Sequence, residues 1–373
     1  MILCLIACVD TADTRSPKPE DDGPPSSGTV TSHTYSATTD ANGFVEIPVE
    51  VEDGEVFQVI LRRGRGLSAF EYVYDPAGDK VLDWEALWDS PRSLTDCIIP
   101  ARLAIACNWP VRAIDGPLEA GTWTVVGTTV DSNWDYQGGE DVEIEVLTRP
   151  EPDVGAGSLR AVVAYAEGVG DDEAVVSATE RAVEYWGELF AGIGVTLEVE
   201  FADIPLDPDL PAAYSGQDEV ETLLAGEEAR SVLVVIGETV EGDDTLYGEA
   251  AAIPGPYAPT PITVVEIGWL ANAGADATFR DPEVLLMGET IAHEVGHYLG
   301  LYHPVEDGGY GAWEWWDALE DTAECDAWRT CESELGHNLM FPYPLCGGGS
   351  ACERQDEITG EQAGVINHYV GVE

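Results

Sequence analysis

The stretch HEVGHYLGLYH, positions 293 to 303, holds three of the chain's six histidines, with a glutamate beside the first. His293 and His297 stand four apart. On a helix that spacing stacks two imidazoles on one face, where both can bind a single tetrahedral Zn²⁺. Glu294 can lie beside such an ion, where a carboxylate takes a proton from activated water. Gly300 is placed to end the helix in a left-handed turn, after which His303 can swing back to the same ion. Three protein ligands leave a fourth position open, the arrangement of a catalytic rather than a structural zinc. His-Glu-x-x-His alone arises by chance in roughly one per cent of chains this long, and Gly300 with His303 at fixed offsets lowers that roughly a thousandfold.

Such a centre needs a rigid helix and a sheet behind it. Asp281-Pro282 predicts the helix start, with Asp281 capping the free amides and Pro282 in the first helical position. The pattern stays helical from Glu283 to about Leu299, and Ile291, Val295 and Leu299 form an apolar stripe turned away from the histidines. Upstream, 159–166, 195–201 and 231–237 read as strands and 172–193 as an amphipathic helix, which predicts a twisted mixed sheet with helices against it. From 29 to 148 the chain alternates in short runs such as FVEIPVEV (44–51) and TWTVVGTTV (122–130), the pattern of an antiparallel β-sandwich with no chemistry of its own. RPEPDVGAGS (149–158) predicts a linker, so the organisation expected is a sandwich over 29–148 and a second domain over 159–373.

H-E-x-x-H-x-x-G-x-x-H, followed by EDTAEC (320–325), HNLMF (337–341) and ITGEQAGVINHYV (358–370), resembles the metzincin zinc endopeptidases, and within them the pappalysin-like branch. The resemblance implies an α+β catalytic domain, a twisted mixed sheet plus the active-site helix, preceded here by the all-β sandwich. It implies His293, His297 and His303 as zinc ligands, Glu294 as general base, and Met340 as the Met-turn methionine that floors the metal without ligating it. His337 sits where the family has a histidine that does not bind zinc. Tyr343, one residue later than the family's tyrosine, is a candidate transition-state stabiliser. Asp317 and Thr322 match a calcium-binding stretch, so Ca²⁺ is a second candidate cofactor beside one catalytic Zn²⁺. The family's pattern also suggests the pairings Cys325–Cys346 and Cys331–Cys352. The activity implied is hydrolysis of peptide bonds in proteins or peptides. The competing reading is an inactive, zinc-stabilised surface binding protein, against which the chain has kept Glu294 and all three histidines.

Composition narrows the partners. Across 373 residues, 71 Asp and Glu oppose 16 Lys and Arg, a formal net charge of -55. That field repels phosphate backbones and anionic lipid surfaces, which excludes nucleic acid, and it steers basic peptides inward. The opening MILCLIACVD resembles a bacterial lipobox with Cys8 as the lipidated residue, and the Pro- and acid-rich residues 9–28 have the composition of a tether. The protein expected is therefore exported, as an outer-membrane or cell-surface lipoprotein or else secreted, with lipid at Cys8 its one membrane attachment. Apart from Cys4 and Cys8 six cysteines remain, an even number that predicts disulfides. Proximity favours Cys97 with Cys107 and a second set among the last four.

Overall fold

The structure, a computed structural model of the chain, describes residues 30–63, 66–83, 86, 92–93, 104–151, 157–211, 230–258, 264–307, 313–346 and 352–373. Cys8, the 9–28 segment and Cys97 lie outside them, and so does the expected Cys97–Cys107 pairing.

The first part contributes β1 (Thr31–Thr38), β2 (Phe44–Val51), β3 (Glu55–Arg62), β4 (Leu67–Tyr74), β5 (Lys80–Asp83), β6 (Arg92–Ser93), β7 (Ala104–Trp109), β8 (Gly121–Val130) and β9 (Asp141–Pro150). Eight of these form two four-stranded antiparallel sheets, ordered β1-β9-β3-β7 and β2-β8-β4-β5. In β2 Val45, Ile47, Val49 and Val51 are buried while Glu46, Pro48 and Glu50 face water, the alternation of a sheet wetted on one side. Arg149 and Pro150, expected in a linker, instead complete β9, which pairs with β3 as far as Glu55 and Pro150. Proline at the end of the strand leaves no ladder donor missing within it.

The second part contributes β10 (Gly157–Tyr165), α1 (Glu173–Gly192), β11 (Val195–Asp203), β12 (Asp209–Leu210), β13 (Val232–Gly237), β14 (Thr239–Val240), β15 (Gly248–Ala250), β16 (Val265–Gly268), α2 (Trp269–Asn272), α3 (Asp281–Tyr298), β17 (Val305–Asp307), β18 (Trp313–Asp317), α4 (Trp328–Leu335) and α5 (Gly360–His368). Strands β11, β10, β13 and β16 run parallel in that order, and β15 closes one edge antiparallel to β16. The result is a mixed α+β arrangement. All six residues of β13 are buried, as a strand covered on both faces requires. Helix α1 presents Val175, Ala178, Ala182, Val183, Trp186 and Phe190 to the interior and packs on α3. The helices approach closely at Gly288, where a Cβ would stand 2.7 Å from the Ala182 carbonyl oxygen.

Both parts share one hydrophobic core, and polar groups stitch them together. Arg149, fully buried, donates to the carbonyls of Asn367, Tyr369 and Val370 at 2.7 to 3.0 Å. Gln58 bonds Gly255 and Tyr257 through its amide, and Asn108 bonds His368 and Val370 in the same way. Burial lowers the Arg149 guanidinium to about 10, so it stays charged at neutral pH, solvated by carbonyls.

A smaller core of Val305, Cys325, Cys331, Leu335, Phe341 and Leu345 lies downstream. Its disulfides are Cys325–Cys331 and Cys346–Cys352, not the crossed pairs the family pattern suggests. The reason is local: the turn into α4 brings the Cys325 and Cys331 Cα atoms to 5.3 Å, inside the bonding range, and Cys346 faces Cys352 across an antiparallel bridge.

Candidate metal centre

Helix α3 begins differently from expectation. Arg280 is the N-cap, Asp281 is already helical, and Glu283 reaches back to the Arg280 N–H at 3.0 Å. The Glu283 carboxylate thus secures the N-cap's own N–H, Asp281 turns its side chain to Arg181 at 2.5 Å, and Pro282 costs nothing in a first turn that lacks partners anyway. The far end follows the sequence: the helix stops at Tyr298, and Gly300 takes φ +111°. Ile291, Val295 and Leu299 are buried against the sheet, which turns the opposite side towards the cleft.

His293, His297 and His303 form the one cluster of metal-ready side chains among the described residues. Nε2 of His303 lies 3.1 Å from Nε2 of His293 and 3.0 Å from Nε2 of His297. Nitrogens bound to one tetrahedral zinc stand about 3.3 Å apart, so the three atoms already have nearly the right spacing. Their other ring nitrogens fix the tautomers. Nδ1 of His293 faces the Leu339 carbonyl at 2.7 Å, Nδ1 of His297 faces the Leu301 carbonyl at 2.7 Å, and Nδ1 of His303 faces the Glu306 carboxylate. Carbonyls and carboxylates only accept, so each Nδ1 carries its proton and donates. Each Nε2 therefore presents a lone pair to the same point. Burial first, then the facing His303 ring, pushes His293 down to about 3, and the same causes push His297 well below its ordinary value. Neutral rings with converging lone pairs fit a soft-to-borderline cation such as Zn²⁺.

Met340 is fully buried, and its Sδ would lie 2.8 Å from a Cβ added at Gly296, between the two helical ligands. Its backbone N–H donates to Asn338 Oδ1, and Asn338 and Gln362 exchange two amide hydrogen bonds at 2.9 and 3.0 Å. Gln362 in turn caps α5 together with Thr359. The H-N-x-M turn and the T-x-x-Q helix start are thus one network that fixes the floor under the histidines.

Glu294 is buried beside the cluster. Burial, then Glu249, raises its carboxyl to about 8, against the pull of the Ala250 N–H. Gly248, the preceding alternate residue of edge strand β15, makes room for it: a Cβ there would sit 2.8 Å from Glu294 Cγ. A cavity of about 260 Å³ opens at His293 and Glu294 and runs between β15, α3 and the 339–344 segment.

Tyr343 lines that cavity, its ring stacked on Trp328 at 4.7 Å and set edge-on to Phe341. Asp317 is buried; its Oδ1 accepts from Thr322 at 2.6 Å and from the Leu319 N–H, while Oδ2 has no hydrogen-bond partner. His337 is exposed, donates to the Arg354 carbonyl and stands apart from the cluster. His368, given no role from sequence, bonds Val111 and Glu151 across the two parts. Sequence reasoning missed Glu306, Gly248 and the two carbonyls that orient the ligands. Glu306, three residues after His303, carried a signal in its spacing; the others depend on tertiary contacts.

No family model matches the chain, and no curated protein matches its sequence. Among solved structures it is similar to archaemetzincin from Methanopyrus kandleri, at 16% identity over 42% of this chain and 79% of that one, with a TM-score of 0.28. It is also similar to metalloproteinase-II from Bacteroides fragilis, at 13% identity over 46% of this chain and 53% of that one, with a TM-score of 0.32. Scores of this size establish no shared fold, and the functional reading rests on the histidine centre itself.

Proposed function

We propose that the chain is a zinc-dependent endopeptidase of metzincin type, close to the pappalysin-like branch, in which residues 29–148 form an accessory β-sandwich and residues 159–373 the catalytic domain. The observation that carries the reading is the convergence of three Nε2 lone pairs, each tautomer held by an acceptor-only partner, beside a buried glutamate and an open cavity. His293, His297 and His303 would hold the ion, and Met340 would floor it. Zinc so held would supply Lewis acidity, acidifying a water towards a pKa of ~7 and polarising the scissile carbonyl.

Glu294 does the proton work. Placed beside the histidine cluster and at the cavity, its carboxylate can take a proton from the attacking water, and it then passes that proton to the departing amine as the C–N bond breaks. The attacking group is water, so no side chain forms a covalent bond with the substrate. Edge strand β15 lies beside Glu294 and offers an extended peptide a strand to pair with. Tyr343 is close enough to the cavity to contact substrate, but its stacking on Trp328 favours a wall rather than a mobile hydrogen-bond donor. Glu294→Gln is expected to keep stoichiometric zinc and lose casein cleavage; substantial residual turnover by that variant would remove Glu294 from this role.

Export as a lipoprotein through Cys8, or as a secreted protein, agrees with the two disulfides. No helix among the described residues is long and apolar enough to cross a membrane. A calcium ion at Asp317 would use Oδ2, the oxygen that Thr322 leaves open. Added Ca²⁺ should then raise the Tm of chelator-treated, zinc-reloaded protein, and an unchanged Tm argues against the site.

A further inference from the structure

The cavity beside the histidine centre has mostly apolar walls and an acid among its lining residues. Leu286, Phe341, Pro342 and Tyr343 line it, and so does Glu289, one helical turn before His293 and about 6 Å further along the α3 axis. An extended lysine or arginine side chain entering from the metal centre spans that depth. Glu289, however, is already paired: it is almost wholly buried, and Arg354 Nε meets its Oε1 at 2.5 Å. Arg354 approaches from the outer side, where it lies over the Tyr185 ring at 4.7 Å and pairs with Asp356 at 3.3 Å. The carboxylate that would attract a basic side chain thus has its counter-ion supplied by the protein. What remains for a substrate is about 260 Å³ of mostly apolar space. A cavity of roughly 150 Å³ already admits benzene.

We infer that Arg354 decides which side chain this cavity accepts beside the cleaved bond: by neutralising Glu289 it turns a site that would take lysine or arginine into one that takes bulky apolar residues. The inference rests on the peptidase reading and deepens it. It also separates two electrostatic scales. The net charge draws basic peptides towards the surface, whereas the buried ion pair decides which side chain the cavity accepts.

The test is a peptide library varied on both sides of the cleaved bond. The zinc-loaded parent is expected to favour Phe, Leu or Met over Lys and Arg at one flanking position by at least tenfold in kcat/KM. Arg354→Met is expected to invert that ranking, and Glu289→Gln combined with Arg354→Met to restore it. A parent that prefers Lys or Arg at that position, or an Arg354→Met variant with an unchanged ranking, overturns the inference. Arg354→Met leaves a buried carboxylate unpaired, so Arg354→Gln, which retains a donor, is run in parallel, and the parent's ranking stands as a test even if neither variant folds. A readout independent of turnover uses the Glu294→Gln background, with toluene and n-butylammonium as side-chain probes followed by NMR shifts. Toluene should perturb cavity residues in that background, and n-butylammonium only once Arg354→Met is added; binding of n-butylammonium without that change overturns the inference. Failure of the parent to cleave any peptide defeats the peptidase reading, whereas cleavage with the wrong ranking defeats only the role of Arg354.

Discussion

Adding a single methyl group at Gly248 should disable the proposed base without disturbing the metal ligands. The Cβ of Gly248→Ala would stand 2.8 Å from Glu294 Cγ, 3.0 Å from the Glu266 carbonyl oxygen and 3.1 Å from Ile267 Cδ1. Carbon atoms in contact prefer about 3.5 to 4.0 Å, so close to 1 Å must be found on the Glu294 side. The Glu266 oxygen belongs to backbone paired between β15 and β16, and Ile267 is buried in the core. The Glu294 side chain is the softest neighbour and the one expected to move. A displacement of about 1 Å in a reacting group costs on the order of 10² in rate, or about 2.7 kcal/mol of barrier. The histidines are oriented by Leu339, Leu301 and Glu306, none of which supplies the three atoms nearest the added methyl. Gly248→Ala is therefore expected to lower kcat/KM on a fluorogenic peptide about a hundredfold while retaining one zinc per chain by atomic emission. Activity equal to the parent would show that Glu294 is not held where the proton transfer needs it. Loss of zinc would show that β15 supports the ligands themselves.

Two further perturbations separate the roles of other acids. Removing the partner that orients His303, by Glu306→Ala, should weaken zinc binding by about ten- to a hundredfold in a chelator competition, with little change in Tm for the chelator-treated protein. Glu266 lies buried opposite Glu249 on the neighbouring strand, and burial, then Glu249 and Glu241, raises its carboxyl well above the ordinary range. The folded chain thus keeps a proton that the unfolded chain releases above about pH 4.3, so stability is fullest below that value. It falls as pH rises towards the folded pKa, by up to about 1.4 kcal/mol per pH unit. Glu266→Gln removes this dependence and should raise Tm more at pH 8 than at pH 5; an equal change at both would refute the assignment.

How much of this was legible beforehand depended on whether the controlling contacts were local. The helical ligand pair, the stop at Gly300 and the return of His303 are set within eleven residues, and the structure brings these side chains together as their spacing implies. Strand β2 matches its alternating run residue for residue, because a sheet wetted on one face writes its pattern into the chain. The helix cap falls one residue before the expected one because Glu283 reaches back to the Arg280 N–H and Asp281 pairs with Arg181, a contact a hundred positions away. The disulfides depart from the family pattern because each joins cysteines six positions apart that a local turn brings together. Arg149 carried no signal at all: its three carbonyl acceptors lie more than two hundred positions downstream, a separation no periodicity can encode.

That arginine has a consequence for how such a chain can be inherited. Its guanidinium closes off the carbonyls of Asn367, Tyr369 and Val370, and Ser158 and Glu373 exchange backbone hydrogen bonds a few residues away. A recombination event that swapped the two front sheets for another module would leave the Asn367 and Val370 carbonyls without a donor, each at a cost of about 1 to 3 kcal/mol, while Tyr369 keeps the Val372 N–H. The incoming module would have to bring a donor to the same place to recover that stability. The segment around the junction thus resists modular exchange, and the front sheets should travel through descent with the histidine helix rather than be replaced independently of it.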